Sequence, residues 1–231
     1  MYAEERQAAI VSQARSAGRV EVAELSETFA VTPETVRRDL TALERAGLLR
    51  RVHGGAIVVD LFGFEPALSV RESVHTTEKA RIAEAALELL PQEGAIALDA
   101  GSSTFRLAEI LPTDRQLTVV GRVRGRTQAT VDHAALEYLR GVFVDIAFLG
   151  TNGFSVERGL TTPDSAEAAV KSAFIGAARR SVLLADHTKY GSDHFAHFGD
   201  LAQVNTIVTD SELPNDAVLE LEAAGPKVVR A

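Results

Sequence analysis

Apolar positions in the first fifty residues recur at helical spacing, in short runs closed by chain breakers. Over Glu4–Ala17, Ala8, Val11 and Ala14 fall near one side and Gly18 closes the run, which predicts a helix. Val20-Glu21-Val22 reads as a short extended piece, and Val22–Phe29 as a second helix. Thr32 suits an N-cap and Pro33 the first helical position, so a third helix opens there. At about 100° per residue, its Val36, Leu40 and Leu43 share one stripe and Glu34, Arg38, Thr41 and Arg45 point to the opposite side. Leu48–Ile57 then alternates as a hairpin around Gly54-Gly55, a turn pair. Two short helices, a tight turn, a third helix with an outward Arg and Thr face, and a wing make a winged helix-turn-helix, whose recognition helix enters the major groove of duplex DNA.

From about residue 78 the periodicity changes character. Glu78–Leu90 is amphipathic, Pro91–Gly94 turns, and Ala95–Leu98 is an apolar run suited to a strand buried on both faces. Similar runs recur at Ile146–Leu149, Val182–Ala185 and Thr206–Thr209, with helical stretches at Ser165–Ala178 and Pro214–Ala224. The predicted fold class is an α/β sensor domain with a mainly parallel sheet, joined to the N-terminal winged helix-turn-helix. The expected limits are 1–57 for the DNA-binding domain, 58–75 for a connector and 76–231 for the sensor. Phe62 and Phe64 among Gly63 and Pro66 suggest a connector that packs.

Composition narrows the classes. Hydrophobic residues make up 46 % and no run approaches the roughly 20 apolar residues that span a bilayer, so disordered, fibrous and membrane-spanning chains are excluded. With no Cys there is no disulfide, thiol nucleophile or thiolate metal site, which suits a reducing, cytoplasmic location. The net charge of −8 argues against a generally basic coat for nucleic acid. Residues 37–53 nevertheless gather Arg37, Arg38, Arg45, Arg50 and Arg51 against Asp39 and Glu44. The cationic surface is local and coincides with the third helix and the wing.

In open α/β sheets a ligand sits outside the carboxyl ends of the strands. Those ends read Asp99-Ala100-Gly101-Ser102-Ser103-Thr104, Gly150-Thr151-Asn152-Gly153 and Asp186-His187-Thr188-Lys189. Gly101-Ser102-Ser103-Thr104 leading into a helix offers backbone N–H groups and hydroxyls to an anion such as a phosphate, or simply caps a turn. Only four of the 24 basic residues are lysines, at 79, 171, 189 and 227, so Lys171 and Lys189 ask for a reason. Lys171 lies one turn after Glu167 on a helix opened by Asp164; the two form either a surface pair or a contact to a ligand or second subunit. His194 and His197 have spacing that suits a metal but lack a third ligand, and no metal is expected. Asp132-His133 and Asp186-His187 have no nucleophile beside them, and no catalytic residue is assigned.

The segments Val31-Thr32-Pro33-Glu34-Thr35-Val36-Arg37-Arg38-Asp39-Leu40 and Gly47-Leu48-Leu49-Arg50-Arg51-Val52-His53-Gly54-Gly55-Ala56 resemble the winged helix-turn-helix of the DeoR family of bacterial transcriptional regulators. Leu98–Thr104, Ala147–Gly153, Gly159–Lys171 and Leu184–Gly191 are similar to the sensor domain of that family. The resemblance implies a domain like ribose-5-phosphate isomerase with a phosphorylated sugar as effector and no cofactor. It also implies operator DNA as partner and a homodimer or higher homo-oligomer. Candidate DNA contacts are Thr32, Glu34, Thr35, Arg37, Arg38, Thr41 and Arg45, with Arg51 and His53 on the wing. Candidate effector contacts are Asp99, Gly101, Ser102, Ser103, Thr104, Thr151, Asn152, Glu167, Lys171, Asp186 and Lys189. The opening Met1–Gln7 and the Asp164–Ala173 segment look most similar to the branch regulating sugar phosphotransferase uptake and fructose metabolism, which implies fructose phosphates. An alternative from another class is a sugar-phosphate isomerase fused to a DNA-binding module.

One departure matters. In the family pattern the strand like Leu117–Val120 is followed by a loop, a helix and another strand, whereas here Gly121-Arg122-Val123-Arg124 follows at once. A parallel crossover needs a dozen or more residues, so about 20–25 residues are expected to be absent, and Arg122, Arg124 and Arg126 have no assigned place.

Overall fold

The computed structural model describes residues 3–17, 19–58, 68–121 and 133–231. The chain divides into two compact units, Met1–Val74 and His75–Ala231. Residues 59–67 of the expected connector, and Arg122, Arg124, Arg126 and Asp132, lie outside the described residues.

The first unit contains α1 (Ala3–Ala17), β1 (Arg19–Glu21), α2 (Val22–Thr28), α3 (Pro33–Arg45), β2 (Leu49–Val52), β3 (Gly55–Val58) and a short α4 (Leu68–Ser73). Val36, Leu40 and Leu43 of α3 pack with Ile10, Ala14, Val20, Leu25, Leu49 and Ala56 into one core, as the stripe required. The buried face of α1 differs from expectation: Arg6, Ile10 and Ala14 are buried and Ala8 is exposed. The reason is Asp39. It is buried on the inner face of α3, and its carboxylate accepts from Arg6 Nε at 2.6 Å and Gln7 Nε2 at 2.9 Å. The guanidinium at i−4 from Ile10 is therefore drawn inward, and α1 rotates to deliver it. That partnership raises Arg6 above its ordinary pKa, chiefly through the hydrogen bond to Asp39.

The wing turns at His53-Gly54, one residue earlier than expected. Gly54 takes φ +80°, and Gly55 already pairs with Val52 in β3. Gly55 serves close approach instead, since a Cβ there would lie 2.0 Å from the carbonyl oxygen of Val20 on β1.

The second unit runs α5 (Thr76–Leu87), β4 (Glu93–Leu98), α6 (Ser102–Glu109), β5 (Gln116–Gly121), α7 (His133–Arg140), β6 (Val144–Gly150), β7 (Gly153–Ser155), β8 (Gly159–Thr162), α8 (Ser165–Ala177), β9 (Ala178–Leu184), β10 (Ala196–Gly199), β11 (Thr206–Thr209), α9 (Asn215–Ala223) and β12 (Lys227–Arg230). Six strands form one sheet in the order β12-β11-β9-β6-β4-β5. Every pairing in it is parallel. The apolar runs are continuous because both faces are covered. Ile146, Phe148, Val182 and Leu184 enter a core with Ile82, Ala86 and Leu107 of α5 and α6. Ala147, Leu149 and Leu183 enter the opposite core with Leu139, Val170, Phe174 and Leu221 of α7, α8 and α9. A second, antiparallel sheet of β10-β8-β7 was not foreseen from the sequence, because its strands are only three or four residues long.

Breaking the Arg6–Asp39 pair strands a buried carboxylate, which typically costs about 3–5 kcal/mol. Arg6→Ala is expected to lower the unfolding free energy of the first unit, read from a urea titration, by that amount. The double variant Arg6→Met/Asp39→Leu is expected to recover most of the loss in the same titration.

Candidate functional site

The recognition helix begins as its sequence demanded. Thr32 is extended and its Oγ1 accepts from the backbone N–H of Thr35 at 3.2 Å, with Pro33 at the first helical position. Glu34, Arg37, Arg38 and Arg45 are exposed, and Thr35 and Thr41 half-buried. Arg37 leans on Glu34 at 3.5 Å. Arg38 and Arg45 make no hydrogen bond or ion pair with another described residue, which leaves both guanidinium groups for an outside partner. The wing is pinned to this helix: the Arg51 backbone N–H donates to Glu44 Oε1 at 3.0 Å, and its guanidinium donates to Thr41 Oγ1 at 3.1 Å. Thr41 in turn donates to the Arg37 carbonyl at 2.8 Å. The helix and wing therefore present one rigid cationic surface, with His53 exposed at the tip of the wing.

In the second unit the chain goes from β4 outward to β5, then returns to place β6 on the other side of β4. The strand order reverses between β4 and β6, and this is where open parallel sheets leave a crevice. Asp99 closes β4 there, and Gly150 closes β6. A Cβ on Gly101 would reach the Gly150 Cα at 3.8 Å, so the two loops abut.

The structure sorts the expected effector residues by direction. Thr104 is buried and donates to the carbonyls of Asp99 at 2.7 Å and Gly101 at 3.0 Å, fixing the turn that opens α6. Ser103 is buried, while Gly101 and Ser102 are half-exposed at the helix N-terminus, where amides face outward. Lys171, expected either as a surface partner of Glu167 or as a contact, is 4 % exposed. Its ammonium is hydrogen-bonded to the Asp99 carboxylate, donates to the Gly150 carbonyl at 2.9 Å and lies 5.4 Å over the Phe198 ring. The surface pair is thereby corrected: Glu167 is also buried and accepts from Thr162 Oγ1 at 3.2 Å, which contacts Asn152 Oδ1 at 3.0 Å. Thr151 donates to the Gly153 and Thr161 carbonyls.

Asp186 and Lys189 sit at the end of the next strand, β9. Asp186 caps a single 3-10 turn, His187–Lys189, through the backbone N–H of Thr188 at 3.2 Å and its hydroxyl. Burial alone would raise the Asp186 carboxyl. Lys189, the Thr188 hydroxyl, His75 and Lys79 outweigh it and hold the group below its ordinary value of 3.8. Tyr190 donates to Glu220 Oε2 at 2.6 Å, and burial with that carboxylate pushes its phenol up to about 12. Lys79 and His75 were missed. Lys79 is 4 % exposed on α5, and the same scarcity of lysine that marked Lys171 and Lys189 marked it too.

His187, Asp210 and Glu212 lie close enough to hold a metal ion. Asp210, however, already accepts from the His187 backbone N–H at 2.8 Å and the Glu212 N–H at 2.9 Å and contacts His187 Nδ1 at 2.9 Å. Its oxygens brace a turn. His194 and His197 are not gathered as ligands; His197 contacts Asp200 at 3.1 Å on the exposed side of the small sheet. A groove of about 480 Å³ beside that sheet, lined in part by Val156, Arg158, Phe195 and Ala224, includes none of the expected effector residues.

A model of the DeoR-like helix-turn-helix domain matches residues 6–61, and a model of the DeoR C-terminal sensor domain matches residues 74–122 and 119–211. The two sensor stretches meet where the sequence departs from the family pattern. The chain is 33 % identical to the HTH-type transcriptional regulator GlpR of Haloferax volcanii, covering 99 % of this chain and 98 % of that one. It is 33 % identical to the uncharacterized HTH-type transcriptional regulator FruR of Bacillus subtilis, covering 92 % and 93 %. It is 28 % identical to the glycerol-3-phosphate regulon repressor of Escherichia coli, covering 91 % and 92 %. Among solved structures it is similar to ribose 5-phosphate isomerase A from Neisseria gonorrhoeae, at 18 % identity over 49 % of this chain and 53 % of that one, with a TM-score of 0.35. Both of its units, the exposed cationic helix with its wing and the parallel sheet with its crevice, match one family: the chain belongs to the DeoR family of transcriptional regulators.

Proposed function

We propose that the protein is a transcriptional repressor of sugar uptake and catabolism genes, released or retained on its operator by a phosphorylated sugar. The observation that carries the reading is the pairing of two surfaces in one chain. One is a recognition helix with Arg38 and Arg45 free of partners among the described residues. The other is a sheet whose switch point and neighbouring strand end gather outward amides, the Ser102 hydroxyl and lysines. Arginine contacts to phosphate would position the helix, and a bidentate contact to guanine would add about 1–3 kcal/mol of discrimination. The names of relatives as repressors of a glycerol-3-phosphate regulon and, as a putative assignment, an aga operon support a sugar-related effector. Within that class we favour a fructose phosphate, on the resemblance of residues 1–7 and 164–173 to the fructose branch.

The effector would lie over Gly101 and Ser102 with Thr151 and Asn152 on one side and Lys189 on the other, its ester charge met by amides and an ammonium group. Asp99, Lys171 and Glu167 act behind it as scaffold, because their polar atoms are engaged within the protein. This also weakens the isomerase reading, which needs an unengaged carboxylate base beside the substrate. A homodimer would set two recognition helices on half-sites about one helical turn apart, and the effector would act through its different affinity for two arrangements.

Arg38→Ala is expected to abolish operator binding in a gel shift at moderate salt while leaving the melting temperature unchanged. Operator binding titrated with fructose 1-phosphate, fructose 6-phosphate, fructose 1,6-bisphosphate and fructose is expected to respond to the esters alone; an equal response to unphosphorylated fructose defeats the phosphate argument. In the same titration Lys189→Met should lose the response, with some loss of stability at neutral pH because Lys189 is the principal charge facing the buried Asp186. Lys171→Met should unfold more easily by about 3–5 kcal/mol, since it strands Asp99 in the interior. Purified protein should not turn over ribose 5-phosphate. Because the folded Asp186 has a lowered pKa, its contribution to stability is present above the ordinary carboxyl value of 3.8 and is lost as pH falls through the folded value. Thermal melts from pH 6 to pH 3 should therefore show a shallower acid loss in Asp186→Asn than in the parent.

A further inference from the structure

The second unit begins at His75, and this residue has a backbone that its side-chain type rarely adopts: φ 53° and ψ 43°, the left-handed region. Only Ala30 shares a positive φ among the described non-glycine residues. Such a conformation persists only where the surroundings over-determine it. Here they come from two directions. The His75 carbonyl accepts from the Lys79 backbone N–H at 3.0 Å, which ties it to the first turn of α5. Its imidazole meets the ring of His187 edge to face, with centroids 5.7 Å apart and planes at 80°. His187 is itself immobilised: its backbone N–H donates to Asp210, its Nδ1 contacts the same carboxylate, and its Nε2 lies 3.3 Å from Glu212. Glu78, 3.9 Å from His75 Nδ1, and Asp186, Lys79 and Lys189 complete the charged groups around the pair.

His187 starts the 3-10 turn that ends at Lys189. The residue through which the chain enters the sensor unit is therefore held in a strained conformation by the turn that carries a proposed effector lysine. We infer that His75 is a relay: displacement of the 187–189 turn on effector binding is passed through the His187 ring to the backbone angles of His75, and so to the segment leading to the DNA-binding unit. This rests on the effector reading above. His75 and His187 are positioning residues in it, and neither is placed against the effector or DNA.

The test uses the full chain as His75→Asn, which accepts a left-handed backbone but has no imidazole ring, and as His187→Ala. The DNA is a duplex enriched from a random pool by the parent protein, and the probe is fructose 1-phosphate. Both variants should keep the ligand-induced thermal shift and bind the duplex within about twofold of the parent. The effect of fructose 1-phosphate on the duplex Kd should fall from a parental factor in the roughly 5–150-fold range of ordinary coupling to under about twofold. A merely structural residue would change stability and leave that ratio alone, so retention of the parental ratio overturns the relay. Without ligand, hydrogen exchange at the Lys79 amide should quicken at least about tenfold in His187→Ala, and unchanged exchange also overturns it. Should His187→Ala fail to fold, His75→Asn carries the same readouts. A parent protein that ignores every phosphorylated sugar defeats the effector reading itself, and the relay is then decided by exchange at Lys79.

Discussion

The buried pair of Lys171 and Asp99 fixes the geometry on which the sensor unit depends. A charge pair this deep is expensive to desolvate and persists only when its remaining hydrogen-bonding capacity is met. The Gly150 N–H donates to Asp99 at 3.2 Å, the Gly150 carbonyl accepts from Lys171, and the Phe198 ring faces the ammonium. One interaction thus joins the ends of β4 and β6 to the middle of α8, across the point where the strand order reverses. Parallel strands diverge into separate loops at that point, and without a tie the loops would be free to drift. With it, Gly101 and Gly150 are held nearly in contact.

The same division of labour appears in both units. In α3 the sequence Arg37-Arg38-Asp39 places two cations outward and one carboxylate inward, where Arg6 of α1 neutralises it. In the loop Gly101–Thr104 the threonine turns in to bond the turn, and Ser102 stays at the surface. The buried carboxylates Asp39 and Asp99 are met by cations far apart in sequence, Arg6 and Lys171, so they specify which elements meet. Of the outward ones, Arg38 makes no hydrogen bond or ion pair with another described residue and is available to DNA. A polar residue in a motif accordingly carries one of two meanings, and burial separates them.

The break after Val120 has a structural counterpart. Among the described residues β5 pairs only with β4 and forms one edge of the sheet, with Val119 46 % exposed. The alignment with the Haloferax relative runs over 250 positions although the chain has 231 residues, so at least 19 of them face no residue here. The two sensor-domain matches meet at residues 119–122, at the end of β5, while Asp99, Gly150 and Lys171 are tied to one another within β4, β6 and α8.

Periodicity and local chemistry were enough for most long elements, although the helix at His133–Arg140 was not foreseen and only the second half of β9 was. The 3.6-residue stripe of α3, the Thr32-Pro33 start and the two-sided apolar runs of β4, β6, β9 and β11 each act within a few residues of chain, so they can be read without knowing what lies across from them. The short strands of the small sheet could not be, because three or four residues carry no periodic signal. The inward turn of Arg6 could not be either, since its cause is a carboxylate 33 positions away. The site divides along the same line. Which loops close the strands, and which residue types they carry, is local information. Lys171 was marked by its rarity, but its protein partner was not legible, because the nearest carboxylate in sequence is four positions along the helix while Asp99, 72 positions away, is the one that folding brings within reach. Lys79 and His75 join the β9 loop only because α5 packs against that part of the sheet. Side chains choose among distant partners by desolvation and geometry, and neither exists until the chain has closed around them.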